Sequence, residues 1–234
     1  MRQVIPIFKK ELKAYFVSPI AYIVISIFLL VIGWFFFLTF FLTNQATLRH
    51  FFMLIPIMFS FVIPAITMRL FSEELNVGSY EILLTLPVTF LEVVLGKYFA
   101  AVAFLLSMLV LTISYPITIA FLGPLDWGPV FGGYLGAILL GAAFSAIGLF
   151  ASSLTRNQII AFIIGTVICF SFTLIDWMLF FVPPTLLVFV QYLGAYFHFQ
   201  NIAKGIIDSR DILYFLSLNF IALYATLVVV QEKS

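Results

Sequence analysis

Six stretches of this chain are each long and apolar enough to cross a bilayer as a helix, which takes roughly 20 residues. They fall at 20–42, 51–68, about 98–122, about 130–152, 159–181 and 212–230. The first opens with Ser18-Pro19, a capping residue followed by a proline at the first helical position. A soluble fold has nowhere to put this much apolar surface. Of 234 residues, 64% are hydrophobic and 9% charged, where a soluble domain has about 45–50% and 25%. The fold class expected is therefore all-α: a polytopic membrane protein with about six transmembrane helices.

Lys and Arg set the expected orientation. With the amino terminus inside, the cytosolic side collects Arg2, Lys9, Lys10, Lys13, Arg69, Lys97, Arg156 and Lys233, against Arg49, Lys204 and Arg210 outside. Both termini are expected to be cytosolic. The first apolar run is too long for a signal-peptide core and lacks a small-x-small exit, so no cleaved leader is expected. A net charge of +1 supplies no basic stripe for nucleic acid. Cys169 is alone in an apolar run and counts as a small hydrophobe.

The segments between the spans carry more information. Residues 1–17 form an amphipathic helix, with Val4, Ile5, Phe8, Leu12, Tyr15 and Phe16 on one face and Arg2, Lys9, Lys10 and Lys13 on the other. Such a helix lies in the interface against anionic headgroups, as a generic anchor or as a mechanical element. The longest cytosolic segment, 69–97, holds Glu73, Glu74, Glu81 and Glu92. Arg69, Glu73 and Glu74 extend the second span, and Asn76-Val77-Gly78 ends that extension with a residue able to take positive φ. Ser79 caps a short helix closed by Pro87, and Thr89 with Glu92 forms a capping box for the third span. A solvated linker would not expose Ile82, Leu83, Leu84 and Leu86, so the segment is expected to be an acidic-rimmed knob. On the outer side, Pro183-Pro184 breaks any helix. Residues 185–199 are apolar but too short to span, and a re-entrant or interfacial hairpin is expected within the outer segment 182–210. A seventh span there would place the carboxyl terminus outside.

Several chemistries lack their residues. There is no P-loop signature, so the chain is not expected to be an ATPase, and no H-E-x-x-H. His50 and His198 have no ligand set at metal spacing and are expected as interfacial side chains. The spans offer no Ser/His/Asp set in sequence for an intramembrane enzyme. Asp176 is the one candidate for an intramembrane carboxylate, and its place beside Trp177 suggests the interface. Span four carries Gly132/Gly136, Gly133/Ala137 and Gly141/Ser145, small pairs suited to close helix packing.

These features together resemble the permease subunits of ABC-2 type transporters over essentially the whole chain. The likeness rests on the six spans, the amino-terminal helix and the pattern Arg69-x-x-x-Glu73-Glu74-x-x-x-Gly78-Ser79-x-Glu81-x-Leu83-Leu84-x-x-Pro87, then Lys97. The opening FKKELKAYFVSPIAYIVISIFLL and the outer HFQNIAKGIIDSRDILYFLSLNF look most like the gliding-motility-associated subgroup. The resemblance implies a coupling element at Glu73, Glu74, Gly78, Ser79, Tyr80, Glu81, Leu83, Leu84 and Pro87, docking in a separate ATPase. Ser79 replaces the family's usual Thr but keeps its hydroxyl. It implies a connecting helix carrying Phe8, Lys9, Lys10, Glu11, Leu12 and Phe16, and a further cytosolic contact in the loop 152–158 through Arg156. This chain would bind no cofactor, ATP and Mg being held by the partner. Two ATPase subunits, a second permease copy or a paralogue, and an auxiliary protein with a large extracytoplasmic domain are the implied partners in a bacterial inner membrane. The output would be export of a substrate or, alternatively, mechanical or regulatory work without transport.

Overall fold

The computed structural model of the chain describes residues 3–43, 47–78, 88–179 and 183–233. Ser79, Tyr80, Glu81, Leu83, Leu84 and Pro87 therefore lie outside the described residues. The described residues form helices α1 (Val4–Val17), α2 (Pro19–Thr43), α3 (Arg49–Thr67), α4 (Arg69–Val77), α5 (Phe90–Thr112) and α6 (Ser114–Leu122). They continue with α7 (Trp127–Leu154), α8 (Gln158–Met178), α9 (Pro184–Leu193), α10 (Ala195–Ala203) and α11 (Ser209–Glu232). Six helical stretches are long and apolar enough to cross a membrane: Pro19–Phe40, Arg49–Val77, Phe90–Leu122, Trp127–Leu154, Gln158–Met178 and Ser209–Glu232. The chain is an all-α, multi-pass membrane protein.

The local punctuation follows the expected chemistry. Ile20 N–H donates to Ser18 Oγ at 3.4 Å as α2 begins on Pro19. Gly78 ends α4 with φ of 77°. Thr89 Oγ1 accepts from Glu92 N–H, and Glu92 accepts from Thr89 N–H at 3.2 Å, completing the capping box of α5. Two expectations need correction. Pro183-Pro184 does not exclude a helix, because Pro184 stands at the first position of α9, where its missing N–H costs nothing. The loop expected from residue 152 is shorter, since α7 runs to Leu154 and buries Ser152 and Ser153.

At the centre stands α7, which packs against α3, α5, α8, α10 and α11. Its small residues let neighbours approach closely. A Cβ at Gly132 would lie 2.2 Å from the Ile202 carbonyl oxygen, and one at Gly148 would lie 2.0 Å from Thr67 Oγ1. The small pairs of span four thus receive helices of this same chain. Buried hydroxyls add ties between spans: Ser60 to Thr173 at 2.9 Å and Thr112 to Tyr134 at 3.1 Å.

The junction between α3 and α4 is a break in one long helical span, and α7 repairs it. Phe71 N–H and Ser72 N–H both donate to Ser152 Oγ at 3.0 Å, while that hydroxyl donates to the Met68 carbonyl at 2.6 Å. A foreign hydroxyl inserted into the i→i−4 ladder is a recognised cause of such breaks. Here it also pairs the N–H groups of Phe71 and Ser72 at the bend.

Both chain ends lie on one side of the bundle. Tyr15 of α1 donates to the Ile66 carbonyl at 3.0 Å, and Lys233 donates to the Ser153 carbonyl at 2.6 Å. Six crossings require this, and a seventh would contradict it. Residues 184–203 instead form two short helices meeting at Gly194, each far shorter than a span. Replacing Ser152 with Ala should strand two buried N–H groups and cost about 3 kcal/mol. Denaturant titration of the purified chain in detergent checks this; an unchanged midpoint would show that the bend does not depend on the hydroxyl.

Candidate functional site

The most heavily charged buried place in the described residues lies where α1, α4 and α5 meet. Lys97 of α5 is 1% exposed. Its ammonium donates to Glu11 Oε1 at 3.0 Å and to the Leu70 carbonyl at 2.7 Å, and it forms an ion pair with Glu74 Oε2 at 2.9 Å. The Phe71 ring lies 5.2 Å from the same nitrogen. Lys10 approaches from the surface, 3.4 Å from Glu74 and 3.6 Å from Glu11. Two cations thus face two carboxylates, and the cluster is neutral.

Local sequence explains the arrangement. In α1, Ile7, Phe8, Glu11, Leu12 and Tyr15 turn inward at helical spacing. Glu11 thereby rides on an apolar face, where it is costly without a counter-ion. Gly96, next to Lys97, lets α1 come close: a Cβ there would lie 2.7 Å from the Ile7 side chain. Ile5, on the same apolar face, is 62% exposed and lies beside the packed stripe. Farther along, Tyr15 stacks on Phe104 at 5.0 Å. Arg69 sits over the Tyr15 ring at 5.0 Å and donates to the Ser18 hydroxyl at 3.2 Å and the Ala14 carbonyl at 3.4 Å. The Ala14 carbonyl also accepts the Ser18 N–H at 3.2 Å, so Arg69 adds a second donor at the helix end where a cation is favoured.

Electrostatics follow the geometry. Burial pulls the Lys10 ammonium down, but Glu11 and Glu74 outweigh it and hold its pKa above the ordinary lysine value. Burial pushes the Tyr15 phenol up, against the opposing pull of Arg69. Beside the cluster opens a cleft of about 400 Å³, lined by Lys10, Glu11, Arg69, Glu73, Glu74 and Val77 among others. It carries both signs of charge and no nucleophile–base pair. Among the described residues, no three His, Cys, Asp or Glu side chains gather to hold a metal.

The residues singled out from sequence divide as follows. Lys10, Glu11 and Glu74 are drawn together, with Phe8 and Leu12 half-buried beside them. Lys9 is exposed, Phe16 lies 5.7 Å from Phe104, Glu73 sits on the rim of the cleft, and Gly78 is exposed at the end of α4. Arg156 stands apart in the α7–α8 connection, close enough to Lys233 to help burial lower that lysine's pKa.

Three placements went beyond the sequence reading. Lys97 figured as a basic residue in the loop count and as the end of the resemblance pattern, with no buried role, yet it is the hub. His198 is no interfacial side chain: it is 2% exposed, its Nδ1 lies 2.6 Å from Asp211 Oδ1, and its ring stacks on Tyr214 at 4.1 Å. Its Nε2 faces the Tyr192 carbonyl at 3.0 Å. Asp176, half-buried, accepts from Phe197 N–H at 2.9 Å and so ties the end of α8 to the start of α10.

Comparison of the chain with protein-family models and with curated proteins finds no match. The site thus stands on its geometry. Replacing Lys97 with Met should cost about 3–5 kcal/mol, because two carboxylates lose their buried partner. Replacing Lys10, 64% exposed, with Ala should cost less than about 1 kcal/mol. Thermal unfolding of both variants in one detergent checks the contrast; equal losses would show that Lys97 is not the hub.

Proposed function

We propose that this chain is the membrane-spanning permease subunit of an ABC-type complex in a bacterial inner membrane, with both termini cytosolic. A separate ATPase hydrolyses ATP, and the permease moves a substrate, in the direction of export. The observation that carries the reading is the neutral cluster around Lys97. It joins α1, α4 and α5 into one body, and α4 and α5 are the two helices that flank residues 79–87. A push on that segment would therefore reach both long spans at once, with α1 moving alongside.

The charged cleft beside the cluster also supports a docking role, as does Glu73 exposed in its lining. Such a device transmits work only if the ATPase binds the two permease states with different free energies. The partners would be two ATPase subunits, a second copy of this chain or a paralogue, and an auxiliary protein with a large extracytoplasmic domain.

The test is reconstitution in vesicles with an ABC ATPase co-purified from the chain's own host. Replacing Glu81 and Leu84 together with Ala should reduce permease-stimulated ATP hydrolysis at least about tenfold, the equivalent of roughly 1.4 kcal/mol of coupling. Unchanged stimulation would rule out docking through this segment, and failure of any ABC ATPase to co-purify would count against the class. Stimulated hydrolysis with no lipid or solute crossing the vesicle wall would assign the output to mechanical work.

A further inference from the structure

At the end of the bundle remote from α1, a cleft of about 280 Å³ is lined by Thr47, Arg49, Phe52, Gln200 and Lys204, with Pro129 and Ala203 completing it. Its walls come from α3, α7 and α10 and from the turn after α10, so helices far apart in sequence build it together. Every charged group in the lining is a cation. Among the described residues, neither Arg49 nor Lys204 makes an ion pair.

The placement of these cations is informative. Arg49 is the first residue of α3; its own N–H donates to Thr47 Oγ1 at 3.2 Å, and the preceding Leu48 offers no side-chain cap to the N–H groups that follow. A helix amino terminus carries partial positive charge and repels a cation there. Lys204 is held by its own backbone, its N–H donating to the Gln200 and Asn201 carbonyls at 3.1 and 3.2 Å. Gly205, at φ of 85°, then turns the chain back against Gly128 and Pro129 of α7. A further donor is close by: Gln200 Nε2 is buried and has no hydrogen-bond partner among the described residues. The last torsion of a glutamine is broad, so that N–H₂ can turn to a group entering the cleft. Two unneutralised cations, a helix amino terminus and a spare amide donor all favour negative charge at the same point.

The level of the cleft adds to this. Trp127 and Phe131, on the first turns of α7 beside Pro129, are 48% and 71% exposed, as aromatic side chains are at the height of lipid headgroups. We propose that this cleft binds a phosphate-bearing anion through Arg49 and Lys204, with Gln200 supplying the additional hydrogen bond. Arg grips phosphate oxygens bidentately and Lys acts as a point charge. An anionic lipid headgroup and free inorganic phosphate present the same chemistry. The site uses no residue of α1, α4 or 79–87 and stands independently of the coupling role.

The experiment is native mass spectrometry of the full chain with added phosphatidylglycerol or phosphatidylcholine, with and without inorganic phosphate. The wild type should retain phosphatidylglycerol in preference to phosphatidylcholine. R49Q/K204Q should weaken that retention at least about tenfold. R49K/K204R should keep most of it, and K9Q/K13Q, at the other end of the bundle, should leave this lipid bound. Q200E, which puts a carboxylate in the cleft, should show the same loss and serves if the double variant fails to fold. Displacement of the lipid by millimolar phosphate, with phosphate binding lost in R49Q/K204Q, would identify the free anion as the ligand. Equal retention of the two lipids by the wild type without phosphate binding, or phosphatidylglycerol retained as well by R49Q/K204Q, would overturn the proposal.

Discussion

A peptide group inside hydrocarbon finds no water to bond with, so each N–H and C=O of a span has to be satisfied by the chain itself. Much of the architecture follows from this. The spans are helices, and the irregular points are repaired from within. At the α3–α4 bend, one serine hydroxyl from α7 accepts two N–H groups and donates to a carbonyl. At the start of α10, Asp176 accepts the Phe197 N–H. Each repair uses a side chain from another helix, so satisfying the backbone also ties helices together.

The same scarcity of water explains why the charges gather. An isolated ammonium in an apolar setting is costly, and attraction to one carboxylate repays this only when the remaining protons also find partners. Lys97 is compensated by hydrogen bonds to Glu11 and the Leu70 carbonyl, an ion pair with Glu74 and an aromatic face. Such a cluster tolerates little distortion, since moving any one helix breaks a hydrogen bond or an ion pair of Lys97. It behaves as a rigid joint, which is the property a transmitting element needs.

How much of this was legible in the sequence varied with the range of the interaction. Span positions, the Ser18-Pro19 start, the positive φ at Gly78 and the Thr89/Glu92 box all come from neighbours within a few residues, and the structure agrees with them. The small residues of α7 were legible as a packing face, but the helices that would fill it were not. Long-range pairs left little trace. Glu11 and Lys97 are 86 residues apart, and no local pattern says that one will neutralise the other. A signal did exist: Glu11 lies on the apolar stripe of an amphipathic helix, a position that demands a distant cation. His198 and Asp211 are only 13 residues apart, yet a turn between two helices hides the pairing. The proline pair misled for a local reason, because proline ends a helix from inside but suits its first turn.

The order of residues along the chain gives the Lys97 joint a consequence in time. Glu11 and Glu74 both precede the lysine, so during synthesis the two carboxylates emerge first. A lysine delivered to the membrane alone costs about 3 kcal/mol on insertion scales. Here its counter-ions are already present when the third span arrives. The segment that carries the charge is thus the last of the three to appear, and its arrival closes the joint and need not wait for the remaining spans.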